Sequence, residues 1–94
     1  MIKSFKSREA EKIFHREYSL KLPSSIQKTA LRKLWMLDAS QTINDLRIPP
    51  ANHLEQLKGN RQGQHSIRIN EQWRICFRWQ QGDAYEVEII DYHN

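Results

Sequence analysis

Trp73-Arg74-Ile75-Cys76-Phe77-Arg78-Trp79 alternates aromatic or aliphatic side chains with polar ones. A period of two is the signature of a strand with one face in a core. Placing Trp73, Ile75, Phe77 and Trp79 on that core leaves Arg74, Cys76 and Arg78 together on the opposite, partly open sheet face. Downstream, Tyr85 to Ile90 reads as a second strand, and the chain closes with Asp91-Tyr92-His93. Upstream, His65 to Ile69 reads as a third, with His65 sharing the core parity of Ile67 and Ile69. The connections Asn70-Glu71-Gln72 and Gln80-Gln81-Gly82-Asp83 are of hairpin length, so the three strands form a mainly antiparallel meander.

Working back toward the amino terminus, Leu54 to Leu57 suggests a short strand, joined to the meander by the Lys58–Gly63 turn with its two glycines. Pro49-Pro50 enforces an extended connection, and Thr42 to Leu46 suits one helical turn. Ser24 or Ser25 is placed to cap a helix running to about Asp38, whose Ile26, Ala30, Leu34 and Leu37 form a buried stripe opposite Lys28 and Arg32. Lys21-Leu22-Pro23 separates it from an earlier helix, Arg8 to about Tyr18, capped by Ser7. That helix carries Ala10, Ile13, Phe14 and Tyr18 on one side and Arg8, Lys12 and Arg16 on the other. Ile2 to Phe5 is strand-like. The order predicts an α+β fold: an N-terminal strand and a two-helix hairpin packed on one face of a mainly antiparallel sheet.

The 94 residues suit one domain, 1–94, with a single core. One cysteine excludes an internal disulfide and suits a reducing compartment, and neither a signal peptide nor a bilayer-spanning run is present, so a cytoplasmic location is expected. The net charge of +4 is unevenly spread. Residues 1–33 hold nine Lys and Arg against Glu9, Glu11 and Glu17; residues 58–78 hold Lys58, Arg61, Arg68, Arg74 and Arg78 against Glu71 alone. Such segregation suits an anionic partner such as nucleic acid or an acidic protein surface, or else a solvated basic face.

No metal site is expected, because His15, His53, His65 and His93 are scattered and Cys76 stands alone; no cofactor-binding glycine loop is present either. The chain does hold the group types for metal-free RNA cleavage, which needs a proton acceptor for the 2′-hydroxyl, a proton donor for the leaving 5′-oxygen and cations to balance the phosphate. His93 suits proton transfer near neutral pH. Arg74 suits the phosphate, or an ordinary cross-strand pair with Glu86 or Glu88. Tyr92 is suited to stack on a base or to pack in the core. Asp91 is placed to orient His93 or to cap the strand, and Lys58 and Arg61 lie on a turn that suits either reaching a phosphate or simply staying solvated.

These residues carry a family resemblance. Pro49-Pro50-Ala51-Asn52, Leu54-Glu55-Gln56-Leu57-Lys58-Gly59-Asn60-Arg61, Gln64-His65-Ser66-Ile67-Arg68-Ile69-Asn70, Trp73-Arg74-Ile75-Cys76-Phe77 and Val87-Glu88-Ile89-Ile90-Asp91-Tyr92-His93 closely resemble the HigB toxins, plasmid-maintenance killer proteins of the RelE/ParE superfamily. Met1-Ile2-Lys3-Ser4-Phe5 fits as well, so the likeness covers nearly the whole chain. It implies a RelE-like fold and a toxin that cuts messenger RNA in the ribosomal A site until a HigA-like helix-turn-helix antitoxin neutralises it. It also implies a site made of Lys58, Arg74, Asp91, Tyr92 and His93. Some members place a histidine three residues before the lysine; Glu55 holds that position here, and His53 lies two residues away on the same side of an extended segment. Arg61, Arg68, Arg78 and the stripe Arg8, Lys12 and Arg16 are then expected to contact ribosomal RNA. The rival expectations are a ParE-like inhibitor of DNA gyrase on the same fold and a non-catalytic basic RNA-binding module.

Overall fold

The computed structural model describes residues 1–92, so His93 lies outside the described residues. Helix α1 spans Arg8–Phe14 and α2 spans Ser24–Ala39. Strands β1 (Glu55–Gln56), β2 (Gln64–Arg68), β3 (Trp73–Gln80) and β4 (Asp83–Asp91) form one antiparallel sheet in the order β1-β2-β3-β4. The N-terminal segment runs along the outer edge of β4 and pairs with it through two parallel bridges, Ile2 with Ala84 and Phe5 with Val87. It therefore covers an edge that would otherwise expose unpaired backbone groups.

Both helices lie on one sheet face. Ala10 and Ile13 of α1 and Ile26, Ala30, Leu34 and Leu37 of α2 meet Ile67, Ile75, Phe77, Ala84, Val87 and Ile89 in a single core. Trp73 and Trp79 border it, half-buried, so the alternation in β3 places its side chains as the sequence predicts. His65 also lies on this face, half-buried, with its ring stacked on Phe77 at 6.2 Å between centroids. Burial lowers its pKa.

Helix α1 stops a turn before the predicted Tyr18. The Arg16 N–H donates to Ile13 O at 2.9 Å and the Glu17 N–H to Lys12 O at 2.8 Å, while Arg16 adopts φ 66°. That pair of bonds is the Schellman closure, here with arginine in the left-handed position usually held by glycine. The Arg8, Lys12, Arg16 stripe is broken as a result. Arg8 and Lys12 stay on the helix, whereas the Arg16 guanidinium sits 4.7 Å from the centroid of the Trp35 ring. Tyr18, predicted in the buried stripe, is 61% exposed for the same reason. Helix α2 runs one residue past Asp38, and its N-cap is Pro23 with no side-chain cap, so neither Ser24 nor Ser25 holds that position. The predicted turn at Thr42 to Leu46 is a 3-10 helix over Ile43–Arg47, closed by a capping box between Thr42 and Asp45. The Ile48–Pro49 peptide is cis, and Pro50–Asn52 is a further 3-10 turn where an extended link was expected. Proline at the first position of such a turn loses nothing by lacking an N–H.

A β-bulge interrupts the β3–β4 ladder. Cys76 faces Glu88 and Arg78 faces Tyr85, so Glu86 and Val87 together oppose Phe77. Glu86 takes φ 54°. The extra residue switches parity along β4: Ala84 is buried before it, Val87 and Ile89 after it.

Candidate active site

The ladder places Glu55 opposite Ser66, Ser66 opposite Cys76 and Cys76 opposite Glu88, so one row of side chains crosses the sheet face remote from the helices. Arg74, opposite Arg68 and Ile90, lies one step along on the same face. Tyr92 follows two residues after Ile90. The row therefore brings Glu55, Ser66, Arg68, Arg74 and Tyr92 to one end of the sheet, although they come from four separate stretches of chain.

Arg74 is at the centre of this end. Its Nε donates to Ser66 Oγ at 2.8 Å, and its Nη2 donates to the carbonyl oxygen of His53 and ion-pairs with Glu55 Oε1 at 3.0 Å. The guanidinium carbon lies 5.3 Å from the centroid of the Tyr92 ring, a cation–π distance. Arg74 is only 7% exposed. The face expected to be open is thus covered over its central arginine, because His53 and Glu55 fold across it from one side and Tyr92 from the other. Nor does Arg74 pair with Glu86 or Glu88. Arg78 takes Glu86 at 3.5 Å, and Glu88 takes Arg61 at 3.1 Å with Lys6 at 3.7 Å. Cys76 is buried in the same face, and desolvation pushes its thiol up to about 11, leaving it a poor nucleophile.

A cavity of about 470 Å³ opens above Arg74, lined by His53, Leu54, Glu55, Arg68, Asn70, Glu71, Arg74 and Tyr92. Glu55 and Tyr92 are 51% exposed at the side chain and 40% exposed, respectively. Both stand at the solvent side, with the arginine at the floor. His53 adopts a left-handed backbone, φ 43°, which turns its carbonyl toward Arg74.

Other predicted site residues fall elsewhere. Lys58 is exposed and lines a separate depression with Gln56, Leu57, Gly59 and Gln62. Asp91 pairs with Trp73 in the ladder, which puts it on the parity of the helix-covered face, and its Oδ2 accepts from Gln72 Nε2 at 3.0 Å. It does not line the cavity. Arg61 and Arg78 continue along the open face away from Arg74, each held by its carboxylate, while Arg8, Lys12 and Arg16 belong to the helical layer. His93 lies outside the described residues. Among those residues no group of three His, Cys, Asp or Glu is disposed to hold a metal ion. No helix is long and apolar enough to cross a membrane.

Sequence reasoning missed Ser66 and Asn52, both fully buried, and Lys33, buried against Asn52. Ser66 had a usable signal, since it shares the even parity of Arg68 on a strand adjacent to β3. Lys33 had none, because it is one of nine cations in the first 33 residues.

Comparison with known proteins follows the same lines. The profile of the RelE-like toxin of type II toxin-antitoxin system HigB matches residues 3–93. Toxin HigB-1 of Vibrio cholerae serotype O1 is 45% identical over 85 residues, 89% of this chain and 90% of that protein. Endoribonuclease HigB of Proteus vulgaris is 33% identical over 93 residues, 99% of this chain and all of its own length. Among solved structures, a chain of the heterotetrameric YoeB–YefM toxin–antitoxin complex from Staphylococcus aureus superposes with a TM-score of 0.60 at 21% identity, covering 100% of this chain and 99% of that one, a likeness of fold. With a family profile spanning almost every residue and two relatives above 30% identity matched over 90% and 100% of their length, the chain belongs to the HigB-like family of RelE-like toxins from type II toxin–antitoxin systems.

Proposed function

We propose that the protein is a ribosome-dependent endoribonuclease that cleaves messenger RNA in the A site, without a metal, by attack of a 2′-hydroxyl on the adjacent phosphate to leave a 2′,3′-cyclic phosphate. The observation that carries this reading is the state of Arg74. Its inner edge is fixed by two neutral acceptors, Ser66 Oγ and the His53 carbonyl, and its carboxylate partner Glu55 is half-exposed at the cavity wall. A phosphate entering the cavity meets a guanidinium already oriented, and it displaces one solvent-facing carboxylate rather than a buried one. The Endoribonuclease HigB name of the Proteus vulgaris relative supports the RNA-cleaving part of this reading.

In this mechanism Arg74 and Arg68 balance charge on the phosphate, Tyr92 stacks on a base at the rim, and Glu55, released from Arg74, tunes or accepts a proton. His93, one residue beyond Tyr92, exchanges the second proton. Lys58 and Asp91 act from outside the cavity, Lys58 on a neighbouring phosphate. Arg61, Arg78, Arg8, Lys12 and Arg16 attach the protein to ribosomal RNA, and a HigA-like antitoxin is the neutralising partner. His93→Gln keeps hydrogen bonding but removes a group that titrates near neutrality, so it is expected to bind ribosomes normally and lose cleavage by about 10²–10⁴-fold. Co-sedimentation and single-turnover cleavage on programmed ribosomes measure the two effects on one preparation. Cleavage within about threefold of the parent, well below that range, would remove His93 from the mechanism.

A further inference from the structure

We propose that Lys33 and Asn52 are positioning residues for Arg74: neither faces the cavity, yet together they fix the carbonyl on which the guanidinium is held. The inference rests on Arg74 being the phosphate-binding group. Lys33, on α2, is 8% exposed, and its Nζ donates to Asn52 Oδ1 at 2.6 Å. Asn52 is fully buried and spends its Nδ2 donors on Leu46 O at 3.1 Å and Met36 Sδ at 3.2 Å. Its backbone N–H closes the 3-10 turn on Pro49 O at 2.9 Å. The next residue is His53, whose left-handed backbone aims its carbonyl at Arg74 Nη2. Helix α2 is thereby connected to the catalytic arginine through one side-chain amide and one peptide unit.

A buried ammonium is a costly way to fill this position. Desolvation lowers its pKa, and the nearby charges of Arg32, Arg68 and Arg74 push it the same way. Packing alone is better served by methionine or leucine, which carry no desolvation cost. What lysine adds is a donor long enough to satisfy Asn52 Oδ1, and without it that oxygen is buried unpaired. A left-handed non-glycine residue such as His53 persists only when its surroundings over-determine it. Loosening Asn52 therefore releases the adjacent peptide, and a misplacement of about 1 Å at a reacting group costs on the order of 100-fold in rate.

The test uses the full chain carrying Lys33→Met, with Lys28→Met, an exposed lysine on the same helix, as control. Three readouts are taken: ribosome co-sedimentation, single-turnover cleavage, and the NMR resonance of the Arg74 Nε–Hε group, which reports its bond to Ser66. Expected for Lys33→Met are unchanged attachment, cleavage slower by about 10- to 100-fold and a displaced Arg74 resonance, with Lys28→Met like the parent in all three. Lys33→Gln retains a donor on a shorter arm and is expected to fall between. It carries the comparison if Lys33→Met does not fold. An Arg74 resonance that stays in place, with cleavage within about threefold of the parent, overturns the proposal. A parent that cuts no RNA overturns the nuclease reading instead and leaves the resonance comparison to decide whether Lys33 positions Arg74.

Discussion

Arg74 shows how far a single side chain is read from sequence. Parity in β3 correctly separates it from Ile75 and Phe77, but parity says nothing about what covers a face. The covering groups, His53, Glu55 and Tyr92, lie 21, 19 and 18 positions away, so the exposed arginine expected from the pattern is 7% exposed. The consequence is measurable. Arg74→Ala leaves Ser66 Oγ and the His53 carbonyl without their donor, a loss of about 2–3 kcal/mol for hydrogen bonds to a charged group. At roughly 4–8 °C per kcal/mol for a domain of this size, the melting temperature should fall by about 10–20 °C while cleavage is abolished. Arg74→Ala melting with the parent would mean that the guanidinium is not held as described. Glu55 and His53 make a second comparison, because both line the cavity but only Glu55 offers its side chain to Arg74; His53 offers its carbonyl. Glu55→Gln is expected to slow single-turnover cleavage more than His53→Ala, and the opposite ranking would give the His53 imidazole the proton-transfer role.

At the scale of elements, the legible parts were those with a regular period. The stripe Ile26, Ala30, Leu34 and Leu37 is buried as its 3.6-residue spacing requires, and all three strands of the meander fall within two residues of their predicted bounds. The illegible parts are irregular backbone without the residue that usually announces it. Arg16 ends α1 in a left-handed conformation with no glycine, and Glu86 makes a bulge in β4 with a side chain that gives no sign of one. The bulge carries a specific expectation. Strand propensity ranks valine above glycine at position 86, but the positive φ penalises any Cβ, most of all a branched one. Glu86→Gly should therefore be more stable than Glu86→Val by about 1–2 kcal/mol, the usual cost of a left-handed residue with a Cβ. Urea midpoints of the two variants settle it. Valine above glycine would mean that β3 and β4 pair without the bulge.

Across the whole molecule, the two layers divide the work. The helical layer buries one sheet face and carries Arg8, Lys12 and Arg16 on its own surface; the other sheet face runs from the Arg74 cavity at one end to the Arg61, Glu88 and Lys6 cluster further along. Basic charge was legible from composition, and the fold class from the order of the periodic segments. The assembly of the cavity was not, since it depends on the 3-10 turn at Pro50–Asn52 folding back over the sheet. Membership of the HigB-like toxins narrows the target without choosing between cutting RNA and blocking another essential machine on the same fold. The most direct measurement is to map transcript ends after brief induction of the parent and of Arg74→Lys, which keeps the charge but loses the planar fork. The parent should produce new ends inside translated codons, with 2′,3′-cyclic phosphates on the upstream fragments and few such ends when translation is blocked beforehand, and Arg74→Lys should produce almost none. Growth arrest by the parent with transcripts intact, accompanied by collapse of DNA supercoiling, would contradict the account.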